Sequence, residues 1–183
     1  MAIGRVILLN GTSSSGKTSL AKALQTLVST PEEPFYHVEG DVLRAMHPAH
    51  TPLKTAAMPR LLSAIPASLA VLAAHGNSLI IDDTFGEAQL LNYAKAFAPV
   101  NALFVGVRCP LAVLEAREIA RGDRKPGTAK ELDTYCHKHG LYDLEVDTSR
   151  QTPEEAAQYI AHHFATTPAT ALRRLLGAHQ GTS

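Results

Sequence analysis

The sequence predicts an α/β domain built on a parallel sheet. Three observations carry this. Short apolar runs alternate with stretches of helical spacing, several runs are apolar without a break, and a Gly/Ser-rich turn joins the first run to the first helical stretch. Unbroken apolar runs suit strands covered on both faces, the usual environment in a parallel sheet.

The expected strands are "RVILLN" (5–10), "FYHVEG" (35–40), "SLIIDD" (78–83), "ALFVGVR" (102–108) and "DLEVDT" (143–148). Between and after them, 17–28, 60–75, 86–97, 110–121 and 153–165 carry helical spacing. Pro110 stands where a first helical turn tolerates proline, and Thr152-Pro153-Glu154-Glu155 is a helix start with acids in its first turn. Residues 46–60, with Pro48, Pro52 and Pro59, read as a loop over one edge of a site. Residues 122–130, "GDRKPGTAK", read as a charged connection between helices. The tail from Thr166 reads as helical until Gly177.

With 183 residues, one domain over 1–183 is expected. Hydrophobic residues make up 45% and charged residues 19%, an ordinary globular balance. Seventeen basic side chains against seventeen acidic ones argue against a nucleic-acid or anionic-membrane partner. Cys109 and Cys136 lie too far apart for a C-x-x-C site, which argues against a disulfide framework or zinc knuckle. No window is expected to reach the apolar length of a membrane helix, and the first residues do not read as a signal peptide. A reducing cytoplasm is the expected location.

The chemistry begins at "LLNGTSSSGKTSL". Gly11-x-x-x-x-Gly16-Lys17-Thr18, after a strand and before a helix, is a phosphate-binding (Walker A) loop. Its glycines let successive backbone N–H groups turn inward, and the following helix adds its unsatisfied N–H groups and positive dipole end. Residues Gly11, Thr12, Ser13, Ser14, Ser15, Gly16, Lys17, Thr18 and Ser19 are the candidate nucleotide contacts. Lys17 suits the β- and γ-phosphates and Thr18 a Mg²⁺ ion. A serine-hydrolase elbow needs Gly-x-Ser-x-Gly, and these glycines are one residue too far apart.

Asp82 and Asp83 end an apolar strand, the place from which a P-loop enzyme takes a carboxylate for its metal; either could serve. Asp41 follows another strand and suits a general base for an acceptor hydroxyl, or the N-cap of "VLRAM". Both readings stand at this point. Arg117 is expected on a solvated helix face, with Glu115 and Glu118 pairing the arginines. Arg121 and Arg124, flanking Gly122, are expected in a lid, where guanidinium forks match transferring phosphoryl oxygens. His47 and His50 do not read as a metal pair, His37 reads as a satisfied interior histidine, and Cys109 reads as a small buried hydrophobe. Arg108 either approaches the nucleotide or caps its strand.

Together "ILLNGTSSSGKTSL", "GDVLRAM", "LIIDDTF", "VGVRCPLAVLEAREIARGDRKPGTA" and "YDLEVDTS" resemble the chloramphenicol phosphotransferases, over roughly residues 3–45 and 78–165. These are small kinases with the fold of shikimate and nucleoside-monophosphate kinases. The resemblance implies a three-layer P-loop kinase fold, a five-stranded parallel sheet in the order 2-3-1-4-5, and a small lid about 121–130. It implies ATP and Mg²⁺ on the loop, a base at Asp41, Arg121 and Arg124 near the phosphates, and Asp147 and Thr148 near the adenine. The implied reaction is phosphorylation of a hydroxyl on a small organic acceptor, in the known case an antibiotic.

Within the acceptor-side segment, about 42–75, the chain departs from the family: "HPAHTPLKTAAMP" replaces a longer Gly/Asp-rich insertion. Its histidines, Lys54 and Met58 suit a more polar or anionic acceptor than chloramphenicol. The alternatives are a shikimate- or gluconate-type metabolite kinase and a nucleotide-sensing binding protein. Segments 46–60 and 122–130 are expected to close over bound substrates, because water must be kept from the γ-phosphate.

Overall fold

A computed structural model describes residues 2–48, 50, 57–122 and 125–180. At its centre run five parallel strands: β1 (Val6–Asn10), β2 (Phe35–Glu39), β3 (Ser78–Asp83), β4 (Ala102–Arg108) and β5 (Leu144–Asp147). Their order is β2-β3-β1-β4-β5, as the resemblance implies.

Side-chain alternation along each strand builds two cores. Val6, Leu8, Leu79, Ile81 and Phe104 point to one face. There they meet α3 (Ala57–Ala74), α4 (Glu87–Phe97) and α8 (Ala171–Gln180). Ile7, Leu9, Ile80, Leu103 and Val105 point to the other, against α1 (Lys17–Val28) and α7 (Pro153–Thr166). Every residue of β1 is fully buried, so truncating Leu8 or Leu9 to Ala would cost about 2–5 kcal/mol. The remaining helices are the short α2 (Gly40–Arg44), α5 (Leu111–Arg121) and α6 (Thr128–Asp133).

Strand register brings the carboxyl ends together. Asn10 pairs with Asp83 on one side and Gly106 on the other, and Glu39 pairs with Asp82. Because β1 has β3 and β4 as neighbours, the turn leaving it sits where the winding reverses, the usual place for a ligand in an open α/β sheet. At α7, Thr152 and Glu155 form a capping box with Pro153 in the first turn.

Several expectations need correction. The segment expected as a loop over 46–60 is helical from Ala57, because Pro59 falls in a first turn where its missing N–H costs nothing. Residues 49 and 51–56, including Lys54, lie outside the described residues. The tail is not one helix ending at Gly177. After α7 ends at Thr166, Pro168 intervenes, and α8 runs past Gly177 to Gln180 because Ala171, Leu172 and Leu175 have a core face to cover. Finally, α3 is long and apolar enough to cross a membrane by length and composition, with 18 residues and a mean hydropathy of 1.5. Prolines had disguised that run, whose only charge is Arg60. One face of α3 joins the core through Ile65, Leu69 and Ala73.

Candidate active site

Backbone geometry gives the loop its curl. Gly16 has φ 85°, a left-handed conformation glycine adopts without strain, and it immediately precedes α1. Ser14 has φ 63°, uncommon for a residue with a side chain and found most often at functional sites. The hydroxyls of Ser13, Ser14 and Ser15 are buried and, among the described residues, meet no hydrogen-bond partner. Buried polar atoms are nearly always paired, so three adjacent orphans beside a helix N-terminus make a cradle suited to a phosphate chain.

Lys17 lies along this curl, its Nζ donating to the carbonyl oxygens of Gly11 and Thr12 at 2.7 Å each. Burial pushes its pKa down, opposed by the charges of Asp82, Asp83 and Asp41. Thr18, Ser19, Asp41, Asp82, Asp83 and Arg121 line the same cleft as the loop. The structure therefore gathers most of the candidate catalytic, loop and metal residues in one place. Arg124 lies outside the described residues.

Strand alternation separates the two acids that end β3. Asp82 falls on the α1 face, where His37 Nε2 lies 3.1 Å from its Oδ2 with both side chains buried. His37 is thus an interior histidine satisfied by a site carboxylate. Asp83 falls on the α4 face, and its carboxylate accepts from Thr84 N at 2.7 Å, Gln89 Nε2 at 2.8 Å and the Arg44 guanidinium at 2.7 Å. The same Arg44 Nη2 reaches Asp41 Oδ1 at 2.7 Å. Asp41 is not the N-cap: Glu39 holds that position and Asp41 lies inside the first turn of α2. Sequence reasoning missed Arg44, although its i,i+3 spacing from Asp41 on a helical stretch was a usable signal.

Arg117 also overturns its expectation. Its guanidinium spans from α5 to the end of β5, donating to Thr148 O at 2.8 Å, Thr148 Oγ1 at 3.1 Å and Ser14 O at 3.4 Å. Glu118 does not pair the arginines; it is buried and accepts from Gly127 N and Ala129 N, holding the start of α6. A second cleft, beside the loop, is lined by Gly16, Ser19, Leu20, Arg117, Thr148 and Pro153. Asp147 is absent from that lining, because its carboxylate turns back to Ser149 N and Oγ at 2.9 and 2.6 Å. Cys109 is half-buried rather than buried, 3.6 Å from Arg117 Nη1. Arg108 turns to Glu145, at 2.6 Å, and over the Tyr142 ring.

Asn10, a polar residue closing an apolar strand, is fully buried at the foot of the loop. Its Nδ2 donates to Cys136 O at 2.9 Å and Tyr142 Oη at 2.8 Å, and its Oδ1 accepts from Phe85 N. Leu141 N donates to His139 Nδ1, which leaves His139 Nε2 as the donor to Tyr142 Oη. With two donors already facing it, Tyr142 gives its own proton to His137 Nδ1 at 2.6 Å. Both histidines are therefore neutral. Burial, helped by the charge of Arg108, pushes His137 down from 6.5 to about 3. Below pH 6.5 the unfolded chain binds a proton there that the folded chain refuses, so stability falls as the pH drops toward 3. We expect a loss of up to about 1.4 kcal/mol per pH unit in denaturant titrations between pH 6 and 4, flattened by His137→Gln.

Comparisons with known proteins agree with this geometry. A family model described as "Chloramphenicol phosphotransferase-like protein" matches residues 4–165. A protein of Mycobacterium tuberculosis named as a candidate O-phosphotransferase is 31% identical over 198 residues, covering 92% of this chain and 85% of its own length. Among solved structures, the APS kinase of M. tuberculosis with AMPPNP and APS is similar with a TM-score of 0.73 at 20% identity, over 91% of this chain and 100% of that one. The tunicamycin resistance protein of Deinococcus radiodurans gives 0.65 at 18%, over 91% and 98%. A gluconokinase of Sinorhizobium meliloti gives 0.58 at 20%, over 100% and 99%. At these identities the structural likenesses are likenesses of fold. The family match, with the loop and its carboxylates in one cleft, leads to one conclusion: the chain belongs to the chloramphenicol phosphotransferase-like family and is a phosphotransferase of the P-loop kinase type.

Proposed function

We propose that the protein transfers the γ-phosphoryl group of ATP to a hydroxyl of a small organic acceptor, with Asp41 as general base. The three orphaned serine hydroxyls around a left-handed curl carry this reading. A triphosphate fits that curl: inward backbone N–H groups, the N-terminus of α1 and Lys17 all favour dense negative charge.

A Mg²⁺ ion fits the hydroxyl of Thr18 and the carboxylate of Asp82, which shares the α1 face with Lys17. Asp83 suits it less, because Arg44, Gln89 and Thr84 already engage its oxygens. When bound, the ion neutralises charge on the phosphate oxygens. Asp41 accepts the proton of the attacking hydroxyl, and Lys17 and Arg121 stabilise charge spread over the transferring group, with Arg124 completing the lid. The segments 121–130 and 42–75 act within one domain as lid and acceptor wall. In this reading Arg117, a flat guanidinium that lines a cleft with Gly16, Leu20 and Pro153, stacks on the purine. Arg117→Ala is expected to weaken ATP binding by about 10- to 100-fold in calorimetric titrations.

An antibiotic alcohol, as in the family's name, is one acceptor class. A polar or anionic hydroxy-compound is the other class, suggested by the histidines, Lys54 and Met58 of the acceptor-side segment. Labelled ATP and Mg²⁺ screened against antibiotics and hydroxylated metabolites tests this. The expected result is ADP formation stimulated by one hydroxyl compound, with label transferred to it. No uptake of Mg·ATP by the purified protein would defeat the reading.

A further inference from the structure

We infer that the cavity bounded by α4, α8 and residues 135–141 is the subsite for the body of the acceptor, a neutral and largely apolar molecule that carries its hydroxyl at one end. This rests on the reading of the loop cleft as the place of transfer, and it decides between the two acceptor classes.

The cavity holds about 230 Å³. A cavity of about 150 Å³ already takes up benzene, so a substituted six-membered ring has room here. Leu90 and Leu175 in its wall are buried, and Leu91 and Leu141 are half-buried, which makes the interior apolar. Glu87 and Lys138 are exposed at its rim, and their opposite charges leave it no preference for an anion. A concave apolar wall with a few polar groups at its edge is the usual form of a small-molecule site. Leu175 and Ala178 belong to α8, beyond the residues 4–165 that the family model matches, so the family match does not account for this wall.

Continuity with the cleft commits the cavity to the acceptor. Thr84 lines the cleft together with Asp41, and Glu87, three residues on, lines the cavity. Three residues of chain reach at most about 11 Å, so one organic molecule of moderate length can span both. Tyr135 stands at the junction. It lines the cavity, and its ring lies so near Gly86 that a Cβ there would meet Cε2 at 3.7 Å. Burial is the main reason its phenol titrates above the ordinary range, and the charges of Arg44 and Asp83, both in the cleft wall, also reach it. An acceptor whose body fills the cavity therefore passes Tyr135 and brings its hydroxyl end into the cleft that Asp41 lines.

The test uses the full chain with Mg²⁺ and a series of ω-(4-fluorophenyl)alkan-1-ols of graded chain length. With Mg·AMPPNP present, ¹⁹F line broadening should show their uptake. With Mg·ATP, ADP formation should peak at an intermediate chain length and exceed that given by hydroxy acids of equal length. Ala178→Trp fills the cavity from α8 and should raise KM for the best alcohol at least about 10-fold, while mant-ATP affinity stays within about threefold. Leu91→Gln, which makes the wall polar from α4, should do the same and serves if the tryptophan variant does not fold. No uptake of any alcohol, uptake without phosphorylation, preference for the hydroxy acids, or unchanged KM in the variants overturns the inference. Failure of the wild type to bind mant-ATP would instead overturn the parent reading of the loop.

Discussion

Asp41→Asn is expected to lower phosphoryl transfer by about 10²–10⁴-fold while leaving Mg·ATP affinity nearly unchanged. The substitution keeps the shape of the side chain and an oxygen for Arg44, and removes only the charge and the proton acceptor. Nucleotide binding should be the less affected, because Asp41 lies on α2, whereas the cradle proposed for the phosphates is formed by residues 11–19 and the start of α1. Phosphoryl transfer passes through a loose transition state in which the attacking oxygen is only weakly bonded. A base paired with an arginine is adequate for that, since it takes the proton late. Paired measurements of ADP formation with acceptor and of ATP binding decide the matter. Near-normal transfer by the asparagine variant would remove Asp41 from the chemistry.

Lys17→Met is expected to lower transfer by about 10²–10³-fold and to weaken ATP binding as well, with stability altered by less than about 1 kcal/mol. The ammonium is buried, and burial works against its charge. Methionine relieves that penalty but forfeits the bonds to Gly11 O and Thr12 O, and the two effects oppose each other. The loss should therefore appear as lost phosphate stabilisation. Thermal melts beside calorimetry and turnover check both halves. Transfer above one-tenth of wild type, or collapse of the fold, would contradict the role given to Lys17.

What the chain disclosed before its structure follows a physical pattern. The three inner strands were legible because burial on both faces leaves apolar runs that no solvated helix or loop would carry, while the two edge strands, only partly buried, were legible from their place between helical stretches. The loop was legible because its chemistry is local: glycines, hydroxyls and a lysine within eight consecutive positions. Arg117 was misread because i,i+4 spacing reports which residues share a helix face, not what that face meets, and its partners Ser14 and Thr148 are distant in the chain. Arg44 escaped for the same reason, since its anchor Asp83 belongs to another strand. The end of the tail was misplaced because Gly177 suggested a stop, and only tertiary packing by Leu172 and Leu175 carries α8 further.

The pleat of β3 has a consequence for how this site can change. Successive residues of a strand face opposite ways, so a slip of one position would exchange the outlooks of Asp82 and Asp83. The acid paired with His37 would then look toward Gln89, and the arginine's anchor would look toward α1. Pairing with β1 along Leu79–Asp83 and with β2 along Ser78–Asp82 fixes the count. The oily stretch Leu79–Ile81 thereby works as a measuring rod for polar groups beyond it, and an insertion or deletion there would turn Asp82 and Asp83 to the wrong faces along with the core residues before them.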